Sequence, residues 1–182
     1  MVGRGNSIII VGGGASGVVL AVHLLMSPNP DLRVTLIEKR PHFGQGMAYS
    51  TLLSAHVLNV KASGMSAYAD DPTHFARWVL ERGFAKPDQG PFYAPRSLYA
   101  SYLRELLDDL MERERETGRL RLIAEESLSI SPTSAGVEVV LANGTSVVGH
   151  LAVLATGHDE QPGAFQGHAI RMGTEADTAL DP

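Results

Sequence analysis

Residues 7–26 read SIIIVGGGASGVVLAVHLLM, and this stretch decides the fold. Ile8 to Val11 is a β-branched run of the kind that fills a buried strand. Gly12-Gly13-Gly14-Ala15-Ser16-Gly17 follows and fits the pattern G-x-G-x-x-G, after which an apolar run continues as a helix. A strand, a tight glycine turn and a helix N-terminus together bring bare backbone N–H groups up to a pyrophosphate. Each glycine has its own task in such a turn. Gly12 permits the sharp bend, Gly14 admits the phosphate without a Cβ in its way, and Gly17 lets the helix lie close to the strand.

The next stretch strengthens that reading. Ser27-Pro28-Asn29-Pro30 stops the helix, and Arg33 to Glu38 forms a second strand, so the unit is βαβ with a right-handed crossover. Glu38 closes the second strand about 20 residues after the turn, where a carboxylate accepts a hydrogen bond from a ribose 2′-hydroxyl and repels a 2′-phosphate. NADP is therefore disfavoured at this site. Residues 8–26 carry no formal charge and approach the length of a membrane span, with Arg4 ahead of them as the basic end of a signal peptide would be. The glycine cluster argues against both, because it breaks the helix where a span needs continuity.

Outward from this unit, Lys39 to Ala69 shows no periodicity and holds FGQGMAYS at 43–50, HVLNV at 56–60 and ASGMS at 62–66. A loop this long in a compact domain is usually functional, and it leaves the strand end where the nucleotide sits, so it is expected to line a cofactor. Asp71 reads as an N-cap with Pro72 at the first position of a helix, whose Phe75, Trp78, Val79 and Arg82 share one face. Capping explains the Asp70-Asp71 pair better than acid catalysis does. A longer helix runs from about Ser97 to Thr117, with Tyr99, Leu103, Leu106, Leu107, Leu110 and Met111 as its apolar face, Glu112 to Glu116 as a solvated end and Gly118 as C-cap. Arg119–Ala124, Ser127–Ser131 and Val137–Leu141 read as strands, and Asn143-Gly144 predicts a type I′ hairpin, which makes a small antiparallel meander. Leu151 to Leu154 is a last buried strand, ending in Ala155-Thr156-Gly157.

Composition narrows the function further. The chain has 182 residues, a net charge of −5 and no basic patch, so nucleic acid is not an expected partner, nor is a membrane. It contains no cysteine, which excludes disulfides and thiol chemistry and suits the cytoplasm. The 7 histidines are scattered without metal-ligand spacing, and no metal site is expected. No G-x-S-x-G elbow is present.

Taken in order, the glycine fingerprint, the acidic end of strand two, the long loop, the meander and the strand closing on Ala155-Thr156-Gly157 resemble the FAD-binding part of two-dinucleotide-domain flavoproteins. Phe43 to Ser50, Leu58-Asn59-Val60, Met65-Ser66-Ala67 and Pro95 to Tyr99 are similar to signature stretches of the FAD/NAD(P)-binding oxidoreductases that include the FAD-dependent urate hydroxylase-like proteins and, more distantly, the N-hydroxylating monooxygenases. The resemblance covers residues 7–162. It implies an α/β fold, a doubly wound Rossmann-like parallel sheet with a three-stranded antiparallel β-meander. It implies FAD as cofactor, with Gly12, Gly14, Ala15, Ser16 and Gly17 at the pyrophosphate turn and Glu38 on the adenosine ribose with Lys39 beside it. Leu128 would offer its backbone to the adenine, Asn59 and Arg96 would face the phosphate or ribityl region, and Thr156 and Gly157 would pass close to the cofactor. Lys61 stands where the group commonly has proline, and Gly149-His150 where an acidic residue often precedes the last strand.

Residues 1–162 are thus expected to form one FAD-binding domain, with 163–182 as a polar, poorly ordered tail. The resemblance implies a flavin-dependent oxidoreductase of the monooxygenase type, using NAD(P)H as co-substrate and a small-molecule substrate. It also implies an NAD(P)H-binding portion and a returning segment that this sequence does not contain, so the chain reads as a truncated form that is inactive by itself. No residue reads as a catalytic acid or base. An NAD-dependent dehydrogenase and a non-catalytic nucleotide-binding module are the alternatives.

Overall fold

The computed structural model describes residues 6–86, 88 and 90–157. The first unit is β1 (Ser7–Val11), α1 (Ala15–Met26) and β2 (Arg33–Glu38). The long loop after it holds a single-turn helix, α2 (Gly46–Tyr49), and a 3-10 turn at Ala62–Gly64. Two helices follow, α3 (His74–Glu81) and α4 (Arg96–Arg113), and then β3 (Leu120–Ala124), β4 (Ser127–Thr133), β5 (Gly136–Leu141), β6 (Ser146–Gly149) and β7 (Leu151–Leu154).

Four strands form a parallel sheet in the order β3-β2-β1-β7. Its two faces explain why β1 is apolar throughout Ile8 to Val11. Ile10 faces α1 and α4, and joins Val18, Ala21, Val22, Leu25, Leu36, Tyr102 and Leu103 in the larger core. Ile9 and Val11 face the other way, against Val139, Leu141 and Val147 of the antiparallel β4-β5-β6 sheet. A strand covered on both faces has no polar side to show, so its sequence does not alternate. β2 divides in the same way, Leu36 toward the helices and Ile37 toward the meander.

The chain leaves β1 toward β2 and β3 on one side and returns on the other as β7, so the order reverses between β1 and β7. The crevice at the carboxyl ends of these two strands is the topological switch point, where open α/β sheets bind their ligands.

Several local expectations change. α3 begins at His74, with Thr73 at the N-cap position, rather than at Pro72. Asp71 does not cap it. Its carboxylate accepts from Arg77 Nη2 at 2.6 Å, and that hydrogen bond lowers its pKa. On α3, Phe75, Trp78 and Val79 are buried as the periodicity predicts, with the Arg82 guanidinium 4.6 Å from the centre of the Trp78 ring. α4 starts at Arg96 and ends at Arg113, and its face includes fully buried Tyr102 but leaves Met111 exposed. The Asn143-Gly144 hairpin forms, but only Gly144 has a positive φ (81°), whereas a type I′ turn needs two. Gly144 N–H donates to Leu141 O at 3.0 Å and Leu141 N–H to Thr145 O at 2.9 Å, the pattern of a three-residue loop with a left-handed last residue. Glu114 is not on a solvated end. It is 3% exposed and paired with Arg119. The expected tail at 163–182 lies outside the described residues. Among the described residues, no helix is long and apolar enough to cross a membrane.

Candidate nucleotide-binding site

The site is built on the turn between β1 and α1, and its four glycines are there for different reasons. Gly12 has φ +109°, and a Cβ on it would run into the carbonyl of Ala155 at the end of β7. A Cβ on Gly17 would run into the Gly12 carbonyl, so this glycine sets how closely α1 approaches β1. A Cβ on Gly13 would lie 2.6 Å from the Phe43 ring and 2.7 Å from Glu38 Cβ. Gly14 is different. Its φ of −71° suits any residue, and a Cβ on it would meet nothing nearer than Gly46 Cα at 3.4 Å. Neither backbone conformation nor packing within the protein requires glycine at position 14.

Gly14 is also the N-cap of α1 and, having no side chain, it cannot satisfy the N–H groups of the first turn. That turn contains no acidic residue. Helix N-termini leave such donors without intrahelical partners, and the summed peptide dipoles favour an anion there. The open cradle over Gly14, with uncapped N–H groups beneath it, fits a pyrophosphate.

Glu38 sits beside this turn, 9% exposed. Its Oε2 accepts the Gly13 N–H at 2.8 Å and its Oε1 accepts the Arg40 N–H at 3.0 Å. Each oxygen keeps a lone pair for a further donor. The loop after β2 closes back over the turn, with Gly44 N–H donating to Gly13 O at 2.7 Å. This contact carries α2 to the turn, so that Gly46 forms one wall of the Gly14 cradle.

The remaining residues singled out by sequence fall into two groups. Arg96, at the start of α4, donates through Nη1 to Ala48 O of α2 at 3.4 Å and through Nε to Val57 O at 3.3 Å. Residues 56–58 are fastened to 94–96 by Leu58 N–H to Ala94 O at 2.8 Å and Arg96 N–H to His56 O at 2.8 Å, which leaves Asn59 exposed beside them. Thr156 and Gly157 follow Ala155, whose N–H donates to Val11 O at 2.7 Å, and are thereby held at the switch point next to Gly12. Lys39 and Leu128 lie at the meander side: Lys39 Nζ is 3.9 Å from Glu126 Oε1, and Leu128 is 58% exposed on β4.

A cleft of about 470 Å³ opens beside α2, lined by Arg40, His42, Gln45, Gly46, Tyr49 and Ser97 among others. Tyr99, packed edge-on to Tyr49 with ring centroids 4.9 Å apart, has its hydroxyl pKa pushed up by burial. Among the described residues no group of three or more His, Asp or Glu is placed to hold a metal ion. Sequence reasoning placed residues 43–50 in a cofactor-lining loop without giving Phe43 or Gly46 a role of its own, and it gave Gly13 none. The middle glycine of an unbroken Gly-Gly-Gly run was a signal for Gly13, whereas the roles of Phe43 and Gly46 depend on how the loop returns.

Comparison with known proteins bears on this geometry. Residues 9–159 match the family described as FAD-NAD(P)-binding. The chain is 27% identical over 165 residues to a 3-dehydro-bile acid delta(4,6)-reductase of Clostridium scindens, a match covering 84% of the chain and 39% of that protein. Among solved structures it is similar to cyclohexanone monooxygenase from Rhodococcus sp. Phi1 bound to NADP+ (TM-score 0.59, 20% identity, 84% of the chain and 26% of that protein). It is also similar to a flavin-containing monooxygenase from Stenotrophomonas maltophilia (TM-score 0.54, 21% identity, 83% and 38%). The chain spans between a quarter and two fifths of the length of these relatives. The match over most of its length means that the chain belongs to the FAD-NAD(P)-binding family.

Proposed function

We propose that the chain is the FAD-binding part of a flavin-dependent oxidoreductase of the monooxygenase type, with NAD(P)H as reductant and a small molecule as substrate, working in the cytoplasm. The observation that carries the FAD reading is Gly14. It is a glycine for which the protein's own structure gives no reason, set over the uncapped end of α1. A ligand that must approach the backbone closely supplies the reason.

In this reading the N–H groups of Gly14, Ala15 and Ser16 hold the pyrophosphate, with Gly12 and Gly17 setting the shape of the turn. Glu38 accepts from the adenosine ribose while its bonds to the Gly13 and Arg40 N–H groups keep it oriented. Lys39 and the Leu128 backbone lie toward the adenine. Arg96 and Asn59 lie toward the phosphate and ribityl region, and Thr156 and Gly157 border the cofactor at the end of β7. Bound FAD supplies hydride acceptance from NAD(P)H and, once reduced, reaction with dioxygen. The protein supplies backbone dipoles, one carboxylate and one wall of loop, and no side chain among the described residues is assigned as an acid or base.

Titration of the purified chain with FAD, followed by flavin absorbance and fluorescence, tests the reading. It predicts a 1:1 complex that Gly14→Ala abolishes in a protein that still folds. NAD binding without flavin binding would instead support a dehydrogenase.

A further inference from the structure

We infer that Gly13, a position the fingerprint leaves free, is the positioning residue for Glu38, and so determines how the site holds an adenosine ribose. The inference rests on the reading of this site as the FAD site. Gly13 is buried and is not among the glycines with a positive φ, so its φ does not demand glycine. What excludes a side chain is space. A Cβ would fall 2.6 Å from the Phe43 ring and 2.7 Å from Glu38 Cβ, both closer than real Cβ atoms approach their neighbours. Neither obstacle is a flexible tip. Phe43 is packed against the helix-side core, and Glu38 Cβ is fixed by β2, which pairs with β1 on one side and β3 on the other.

Both polar groups of Gly13 are also committed. Its N–H donates to Glu38 Oε2 at 2.8 Å, and its carbonyl accepts from Gly44 N–H at 2.7 Å. One residue therefore joins the end of β2, the phosphate turn and the returning loop. A carboxylate on a three-torsion side chain is otherwise free to rotate. Here one oxygen is pinned by Gly13 and the other by Arg40 N–H, which leaves each oxygen a lone pair to accept from a ribose. A methyl group at position 13 displaces Glu38 and lengthens this bond while leaving the carboxylate chemistry unchanged. In the proposed site, the ribose end depends on Gly13 through Glu38, and the phosphate end depends on Gly14 directly.

A double-mutant cycle on FAD affinity, with Gly13→Ala and Glu38→Ala singly and together, separates positioning from a general effect on the fold. Gly13→Ala is expected to weaken FAD binding by about tenfold or more in the wild-type background and by less than about threefold once Glu38 is alanine. Equal losses in both backgrounds would overturn the inference, because Gly13 would then act without Glu38. Amide hydrogen exchange on the ligand-free chain gives a second readout that needs neither FAD nor a folded Gly13→Ala protein. Glu38→Ala should speed exchange of the Gly13 amide while sparing that of Val18, which is bonded to Gly14 O at 3.0 Å. An unchanged Gly13 amide would overturn the inference. If the wild-type chain takes up no FAD, the functional reading fails, and the exchange experiment still decides whether Gly13 holds Glu38.

Discussion

Arg119 donates through Nε and Nη2 to the two carboxylate oxygens of Glu114, at 2.7 and 2.6 Å, and the same guanidinium reaches the carbonyls of Leu25, Ser27 and Asn29 at the end of α1. The pair fastens the end of α4 to the end of α1, and both helices cover the same face of the sheet. Its carboxylate is almost wholly buried. Removing the cation leaves that buried carboxylate with only Arg113 Nε at 3.5 Å and the Thr117 hydroxyl at 2.7 Å, and takes a donor from the Leu25 and Ser27 carbonyls. Arg119→Ala should therefore destabilise the domain by about 3 kcal/mol. In urea the midpoint should fall by about 1–2 M at unchanged slope. An unaltered midpoint would mean that the pair contributes nothing.

The same pair makes a prediction about pH. The hydrogen bond from Arg119 outweighs burial and holds the Glu114 pKa down to about 2. A carboxylate with a depressed folded pKa stabilises the fold above its unfolded value, and that contribution is lost as pH falls through the folded value. Stability should thus decline between the ordinary carboxylate range and about pH 2, and Glu114→Gln should flatten that part of the curve. Denaturant midpoints measured across this range check it. Parallel acid limbs for variant and wild type would rule it out.

The glycines of the turn should separate cleanly. A Cβ at Gly17 meets the Gly12 carbonyl and forces α1 away from β1, so Gly17→Ala should cost about 1–3 kcal/mol and lower the melting temperature by several degrees. A Cβ at Gly14 has room, so Gly14→Ala should melt within a few degrees of wild type and yet lose flavin. Thermal scans with and without FAD distinguish the two. Comparable melting of both variants would refute the assignment of their roles.

How much of this was legible in the sequence varies with the range of the interaction. β1, the glycine turn, α1 and β2 are written locally, because an apolar run, a glycine cluster and a second apolar run each declare themselves within a few residues. β4 and β5 of the meander were legible for the same reason, but Arg119–Ala124, read together with them, joins the parallel sheet beside β2, and the type I′ turn does not form: Asn143 keeps a negative φ once Gly144 takes the left-handed position alone. Glu114 was misread because alternating charges at a helix end look solvated. Arg119, beyond the turn at Gly118, supplies the main interaction that makes burial favourable, with Thr117 beside it. Asp71 looked like a cap until Arg77, one turn into α3, claimed its carboxylate. At the site, Glu38 and the fingerprint glycines could be named from spacing. The bond from Gly13 to Glu38 and the wall that Gly46 presents to Gly14 could not, since both depend on where the loop after β2 returns.

Glu38 carries a prediction of its own. A hydrogen bond to a charged group is worth about 1.5–3 kcal/mol, so Glu38→Ala should weaken FAD binding by about tenfold or more. Isothermal titration calorimetry on a variant with a native circular dichroism spectrum measures this directly. Wild-type affinity in that variant would remove Glu38 from the ribose.

The central proposal, that the crevice at the ends of β1 and β7 holds FAD, is tested most directly by titrating the purified chain with FAD and following flavin fluorescence and visible absorbance. Saturable 1:1 binding that perturbs the flavin bands, and that disappears in folded Gly14→Ala, is the predicted result. An unperturbed flavin spectrum at saturating protein, or equal binding by wild type and Gly14→Ala, would contradict it.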